Sequence, residues 1–146
     1  MISNKLFNYL EKFDRKEMTR FKEFALSPYH FKHEDTRKLI LHLDKLYPKF
    51  NEKNCNRYQL FKKIYPKKKH DQNQLALLFT YATRLLEEFI IVEELNHSIP
   101  DKRLILLRKL RKLEQEKTYR KLYSKYKKKL AGNNYRDTDH YRYQFL

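Results

Sequence analysis

In 146 residues the chain has one glycine (Gly132), one cysteine (Cys55), four prolines and no tryptophan. A single glycine excludes the loops that cradle phosphates or dinucleotides, because G-x-G-x-x-G and G-x-x-x-x-G-K-[ST] cannot be written. It also excludes the glycine-flanked nucleophile elbow of the serine hydrolases. A lone cysteine forms no internal disulfide and has no companion with which to hold zinc. No aliphatic run exceeds four residues, the length of Leu104–Leu107, whereas a membrane span needs about 20. The N-terminal stretch is amphipathic and lacks the apolar region and small-residue cleavage site of a secretory signal. A cytoplasmic protein with no transmembrane segment is therefore expected.

Positive charge is what the chain has in excess. Lysine and arginine number 34 against 18 acidic residues, a formal +16, so the expected partner is anionic or acidic. Hydrophobic residues make up 40%, with 10 Phe and 12 Tyr, which is enough to bury a core and unlike a disordered polycation.

All the apolar periodicity is helical. Leu6, Phe7, Leu10 and Phe13 predict a first helix over about 3–13. Asp14 and Glu17 form a capping box that opens a second helix, which turns Met18, Phe21 and Ala25 inward and stops at Ser27-Pro28. Glu34 and Asp35 suit the positive end of a third helix, where Leu39, Leu43, Leu46 and Tyr47 share a face before Pro48. A fourth, at about 56–65, carries Leu60, Phe61 and Ile64. Asp71 and Gln74 make a second box, and Leu75, Leu78, Phe79, Ala82, Leu85, Leu86, Phe89 and Ile90 form a long stripe behind it. Leu78, Phe79, Leu85 and Phe89 are expected to be the most buried stretch.

Residues 101–130 could be one helix, but their apolar phases disagree. Leu106, Leu110 and Leu113 lie on one face, whereas Tyr119, Leu122, Tyr123, Tyr126 and Leu130 lie nearly opposite at 100° per residue. A break near 114–117 resolves the conflict, giving helices over about 101–113 and 118–131 with Tyr119, Leu122 and Tyr126 buried. Gly132-Asn133-Asn134 then supplies a C-terminal stop, and a last helix starts near Asp137. Lys45-Leu-Tyr-Pro-Lys49, Lys63-Ile-Tyr-Pro-Lys67 and Lys121-Leu-Tyr-Ser-Lys125 recur, at irregular spacing, so no formal repeat is inferred. The predicted fold is all-α without β-sheet. A helical bundle over 1–96 runs into stacked antiparallel hairpins, solenoid-like, over 101–146; the two are packed together or form a single domain.

Five segments occur in order: Leu26-Ser-Pro-Tyr29, Lys45-Leu-Tyr-Pro-Lys49, Leu60-Phe-Lys-Lys-Ile-Tyr-Pro66, Leu85-Leu-Glu-Glu-Phe89 and Tyr135-Arg-Asp-Thr-Asp-His-Tyr141. Together they resemble the N-terminal part of a family of uncharacterised all-helical proteins of Bacteroidetes-type bacteria. The resemblance implies a helical protein, usually longer than this chain, whose helical pairs continue beyond it. It carries no activity, cofactor or site residue. Residues 117–129 are more basic here than the resemblance would lead one to expect.

Candidate chemistry is sparse. His30 and His33 have H-x-x-H spacing beside Glu34 and Asp35, but a closed zinc site needs about four ligands, and Cys55 and His42 sit on other elements. Glu87-Glu88 and Glu93-Glu94 are adjacent pairs whose members point about 100° apart on a helix and do not converge. Helices at 56–65 and 72–95 could mimic a helix-turn-helix, yet after Gln72, Asn73 and Gln74 the second shows Arg84 among four glutamates, which would repel phosphate.

The basic segment remains. Residues 101–130 hold thirteen lysines and arginines against three acids, and 117–129 hold seven cations and no acid. Tyr119, Tyr123, Tyr126 and Tyr135 are interleaved with them, either as a buried face or as stacking platforms for bases. Lysine dominates the end of the run, which suits nonspecific attraction better than bidentate readout. The sequence thus predicts a non-enzymatic protein-interaction or scaffold module with no catalytic, cofactor-binding or metal-ligating residue and no cofactor. Its expected partner is an acidic protein. The alternative is nonspecific binding of DNA or RNA through the Tyr/Lys-rich helix at about 117–130. Lys117, Arg120, Lys121, Lys125, Lys127, Lys128 and Lys129 would then meet the phosphates.

Overall fold

The structure is a computed structural model and describes residues 4–29 and 33–131. Among the described residues there are eight α-helices and no strand. They are α1 (Lys5–Leu10), α2 (Arg15–Leu26), α3 (Glu34–Leu46), α4 (Glu52–Cys55), α5 (Arg57–Ile64), α6 (Gln72–His97), α7 (Ile99–Lys112) and α8 (Glu116–Ala131). The fold is all-α, and the chain divides into two compact units, Met1–Ile90 and Ile91–Leu146. The expected stop at Gly132-Asn133-Asn134 and the helix near Asp137 lie outside the described residues.

Local chemistry sets most helix ends. Asp14 accepts from the Glu17 backbone N–H at 2.7 Å, and the Glu17 carboxylate accepts from the Asp14 N–H at 3.1 Å, so both halves of the capping box form. At α6 only one half forms: Asp71 Oδ1 accepts from the Asn73 and Gln74 backbone N–H groups. Two of the recurring segments end helices, at Tyr47-Pro48 (a cis bond) and Tyr65-Pro66. In the third, Ser124 stands in place of proline and α8 runs straight through.

Two elements differ from the sequence expectation. The first helix ends at Leu10 rather than near 13, and Phe13 reaches the core from the turn that follows. Its apolar spacing reflects burial rather than helix. The short α4 was not anticipated, because four residues carry no period. Asn51 caps it, accepting from the Asn54 backbone N–H at 3.1 Å while the Asn54 side chain accepts from the Asn51 N–H.

The first unit holds the core. Leu6, Phe7 and Leu10 of α1, Met18, Phe21 and Ala25 of α2, and Leu39, Ile40 and Leu43 of α3 are sealed from solvent. They close on the α6 stripe of Leu75, Leu78, Phe79, Ala82, Leu85, Leu86 and Phe89. That stripe is buried as expected, although α1, α2 and α3 are sealed just as completely. Phe89 sits at the centre of an aromatic knot, with ring centroids 5.9, 5.4 and 5.6 Å from Phe13, Phe21 and Phe24. Asp44, nearly buried, ties α3 to α2. Lys22 donates to its Oδ2 at 3.3 Å, and Arg15 lies 2.9 Å from its Oδ1 as an ion pair without hydrogen-bond alignment.

In the second unit the expected break is present. Helix α7 ends at Lys112, and Glu114 takes the left-handed conformation (φ 56°). The Gln115 N–H bonds to the Leu110 carbonyl at 2.9 Å and the Glu114 N–H to that of Arg111 at 3.1 Å, the pair of bonds that defines a Schellman stop. The chain reverses there, and α8 packs back along α7.

Candidate interaction surface

The α7–α8 hairpin carries the residues singled out by charge. Lys117, Arg120, Lys121, Lys125, Lys127, Lys128 and Lys129 all lie on α8 and all are exposed. At 100° per residue Lys117, Lys121 and Lys128 fall about 160–200° from Tyr119, on the outer face. Lys125, Lys127, Lys129 and Arg120 widen that face on both sides. Arg120 bonds to Glu116 at 2.9 Å one turn earlier, the only carboxylate described on α8.

The interleaved tyrosines do something else. Tyr119, Leu122, Tyr123, Tyr126 and Leu130 are half-buried rather than buried, because a hairpin of two helices covers their facing sides only in part. The Arg111 guanidinium lies 5.5 Å from the centroid of the Tyr119 ring, and that of Arg103 lies 4.8 Å from Tyr126. Both are cation–π clasps between α7 and α8. Tyr119 and Tyr123 stack with ring planes 9° apart and centroids at 6.1 Å. Each of these three rings thus has a partner within the hairpin, while part of its surface stays open to solvent. Tyr135 lies outside the described residues.

On α7 the expected inward stripe of Leu106, Leu110 and Leu113 is corrected. The face centred on Leu107 turns inward: Leu107 is buried, and Arg103, Leu104 and Leu110 are half-buried. The wheel found an apolar face, but a second one, built on Leu104 and Leu107, shares the helix. Leu106 and Leu113 remain 43% and 52% exposed, and Ile99 remains 58% exposed. Spaced seven apart, these three form one ridge along the outside of α7. Lys102 lies between Ile99 and Leu106, and Lys109 between Leu106 and Leu113, each a helical neighbour of both. Both lysines are exposed, as are Arg108 and Lys112. The ridge was visible in the sequence as the phase conflict itself; what could not be read there was which phase faces solvent.

Elsewhere the candidate groups are engaged structurally. His33 caps α3, its Nδ1 2.8 Å from the Thr36 hydroxyl, and its ring packs edge-on to Tyr81; its H-x-x-H companion His30 lies outside the described residues. No group of three or more His, Cys, Asp or Glu that could hold a metal occurs among the described residues. Glu87 accepts from Lys5 and from the Tyr9 hydroxyl, both at 3.2 Å. Burial pushes the Cys55 thiol up to about 11, against a backbone bond from Asn51 that lowers it, so it stays protonated. Burial, together with the hydroxyl's 2.6 Å bond to Asp35, pushes Tyr65 up to about 12. No described helix is long and apolar enough to cross a membrane.

His42 is the group with a consequence near neutral pH. Burial, then Lys63 and Lys45, lower its pKa below the ordinary imidazole value of about 6.5. The unfolded chain therefore takes up a proton more readily than the folded one. The stability His42 contributes is present above about pH 6.5 and is lost as pH falls through the folded pKa. Thermal melts between pH 7.5 and 5 should show falling stability, with a shallower fall in His42→Gln. An unchanged slope in that variant would refute the assignment.

No family model, characterised protein or solved structure matches the chain.

Proposed function

We propose that the chain is a non-enzymatic α-helical interaction module of scaffold type, whose docking surface is the outer ridge of α7 and whose partner is an acidic amphipathic helix. The observation that carries this reading is the exposed ridge of Ile99, Leu106 and Leu113 interleaved with Lys102 and Lys109. An aliphatic row at heptad spacing is what a partner helix packs against, and flanking charges choose the partner. A second copy is a poor occupant, since it would set lysine against lysine in a chain of net +16. A helix with leucines at the seam and glutamates beside it satisfies both features. Helical hairpins of this kind are also the unit that stacked helical arrays repeat.

A direct test uses synthetic heptad peptides with leucine at the seam and either glutamate or lysine at the flanks, titrated calorimetrically into the protein. The acidic peptide should bind and the basic one should not. Leu106→Glu should weaken the acidic peptide by roughly tenfold or more, as expected for a central apolar contact, with the far-UV spectrum unchanged. Equal binding to Leu106→Glu and to the unaltered protein would refute the ridge as the docking site.

A second reading, nonspecific binding of DNA or RNA, is favoured by the outer face of α8, where seven exposed cations meet a single carboxylate. What supports it is the attraction of these cations for phosphate.

A further inference from the structure

A groove of about 400 Å³ opens on one side of the first unit, and none of its lining residues belongs to the α7 ridge or to the basic face of α8. Helix α6 forms its floor with Ala76, Thr80 and Thr83, short side chains at i, i+4 and i+7 over the buried edge of Phe79. Asn4 and Lys5 at the start of α1 form one wall, and Arg57, the first residue of α5, another.

Its charges are unbalanced. Lys5 and Glu87 neutralise one another at 3.2 Å. Arg57 and Arg84, both exposed on the rim, have no carboxylate partner among the described residues. Two guanidinium forks beside one concavity suit a doubly charged oxyanion, which arginine holds through paired N–H···O bonds. The remaining polar groups point to a different part of the ligand. The Thr80 and Thr83 hydroxyls donate to the Ala76 and Phe79 carbonyls at 3.0 and 2.7 Å, leaving their oxygens as acceptors. Both bonds to Glu87 go to Oε2, so Oε1 is a further acceptor. A ligand that fills the groove therefore brings an anion at one end and hydroxyl donors at the other. The volume lies within the range of small-molecule sites.

We propose that this groove binds a small polyhydroxylated phosphate monoester, of the sugar-phosphate class, with its phosphate on Arg57 and Arg84 and its hydroxyls on Thr80, Thr83 and Glu87. The site is independent of the α7 ridge and of the basic face of α8.

Ribose 5-phosphate is a suitable probe, titrated by calorimetry or followed by amide shifts, with ribose and inorganic phosphate as its two halves. Ribose 5-phosphate should bind more tightly than either half. Arg84→Gln should weaken it roughly tenfold or more, the effect of losing hydrogen bonds to a charged group. Thr83→Val should weaken ribose 5-phosphate while leaving inorganic phosphate unchanged. A variant carrying Lys125→Gln, Lys127→Gln and Lys128→Gln should bind as the unaltered protein does. Absence of saturable binding at millimolar probe overturns the proposal. So does equal loss in the triple-glutamine variant, which would mark general attraction to a basic protein. Insensitivity to Thr83→Val would reduce the site to an anion patch and overturn the sugar-phosphate assignment.

Discussion

Leu85→Ala is expected to destabilise the protein by about 2–5 kcal/mol, the range for deleting a fully packed leucine. Leu85 is 2% exposed, on the α6 stripe that closes the core of the first unit. Removing its side chain forfeits the transfer of three carbons out of water and leaves a cavity, because α1, α2 and α3 are held by their own contacts and cannot collapse into it. A domain of this size is stable by only about 5–15 kcal/mol, so the midpoint of thermal unfolding should fall by roughly 10 °C or more. Leu106→Ala is the matched control. It has the same chemistry and also sits on a helix, but it is 43% exposed, so its cost should stay near ~0.5 kcal/mol. Melting curves in which the two variants lose the same stability would show that the division between core stripe and outer ridge has been misread.

Salt should dominate any binding of nucleic acid. If a duplex lies along the outer face of α8, Lys117, Lys121, Lys125 and Lys128 are placed to neutralise about four phosphates, giving a log–log slope near −3.6. Raising salt from about 50 to 200 mM should then weaken binding roughly 10²-fold, for any DNA sequence alike. Replacing Lys125, Lys127 and Lys128 by glutamine should flatten the slope without altering the helical spectrum, because these side chains lie off the Tyr/Leu face and are exposed. Gel shifts at several salt concentrations measure this directly. Retention of neither DNA nor RNA at about 50 mM would end the nucleic-acid reading and leave the cations as docking or solvating charge.

Much of the fold could be read from residue order, for reasons that differ element by element. Asp14 and Glu17 announced α2 because a capping box is local chemistry, complete within four residues. The α7–α8 break was legible without any glycine, from Leu106 and Tyr119 demanding opposite faces; Glu114 then takes the left-handed position that glycine usually fills. What failed was the choice between faces that look alike. Leu107 and Leu106 are adjacent and chemically equivalent, and only the packing of α8 decides which one is buried. For the same reason spacing alone did not show that Arg111 and Arg103 of α7 would lie on the rings of Tyr119 and Tyr126. The groove beside α6 lay out of reach altogether, since Lys5, Arg57 and Arg84 are brought together by tertiary packing rather than by spacing.

The distances along the chain between touching residues set an order of assembly. The clasps of the hairpin join Arg103 to Tyr126 and Arg111 to Tyr119, segments close enough to meet within microseconds of being made. Helix α1 is in the opposite position: Phe7 packs on Phe79, and Lys5 bonds to Glu87 across a separation of 82 residues. During synthesis its Leu6, Phe7 and Leu10 emerge ahead of α6 and have no place on it until that helix has left the ribosome, several seconds later at ordinary elongation rates of about 5–20 residues per second. For that interval the apolar face of α1 has only nearer partners to cover it, such as Phe50, whose ring lies 5.6 Å from that of Phe7 in the finished core.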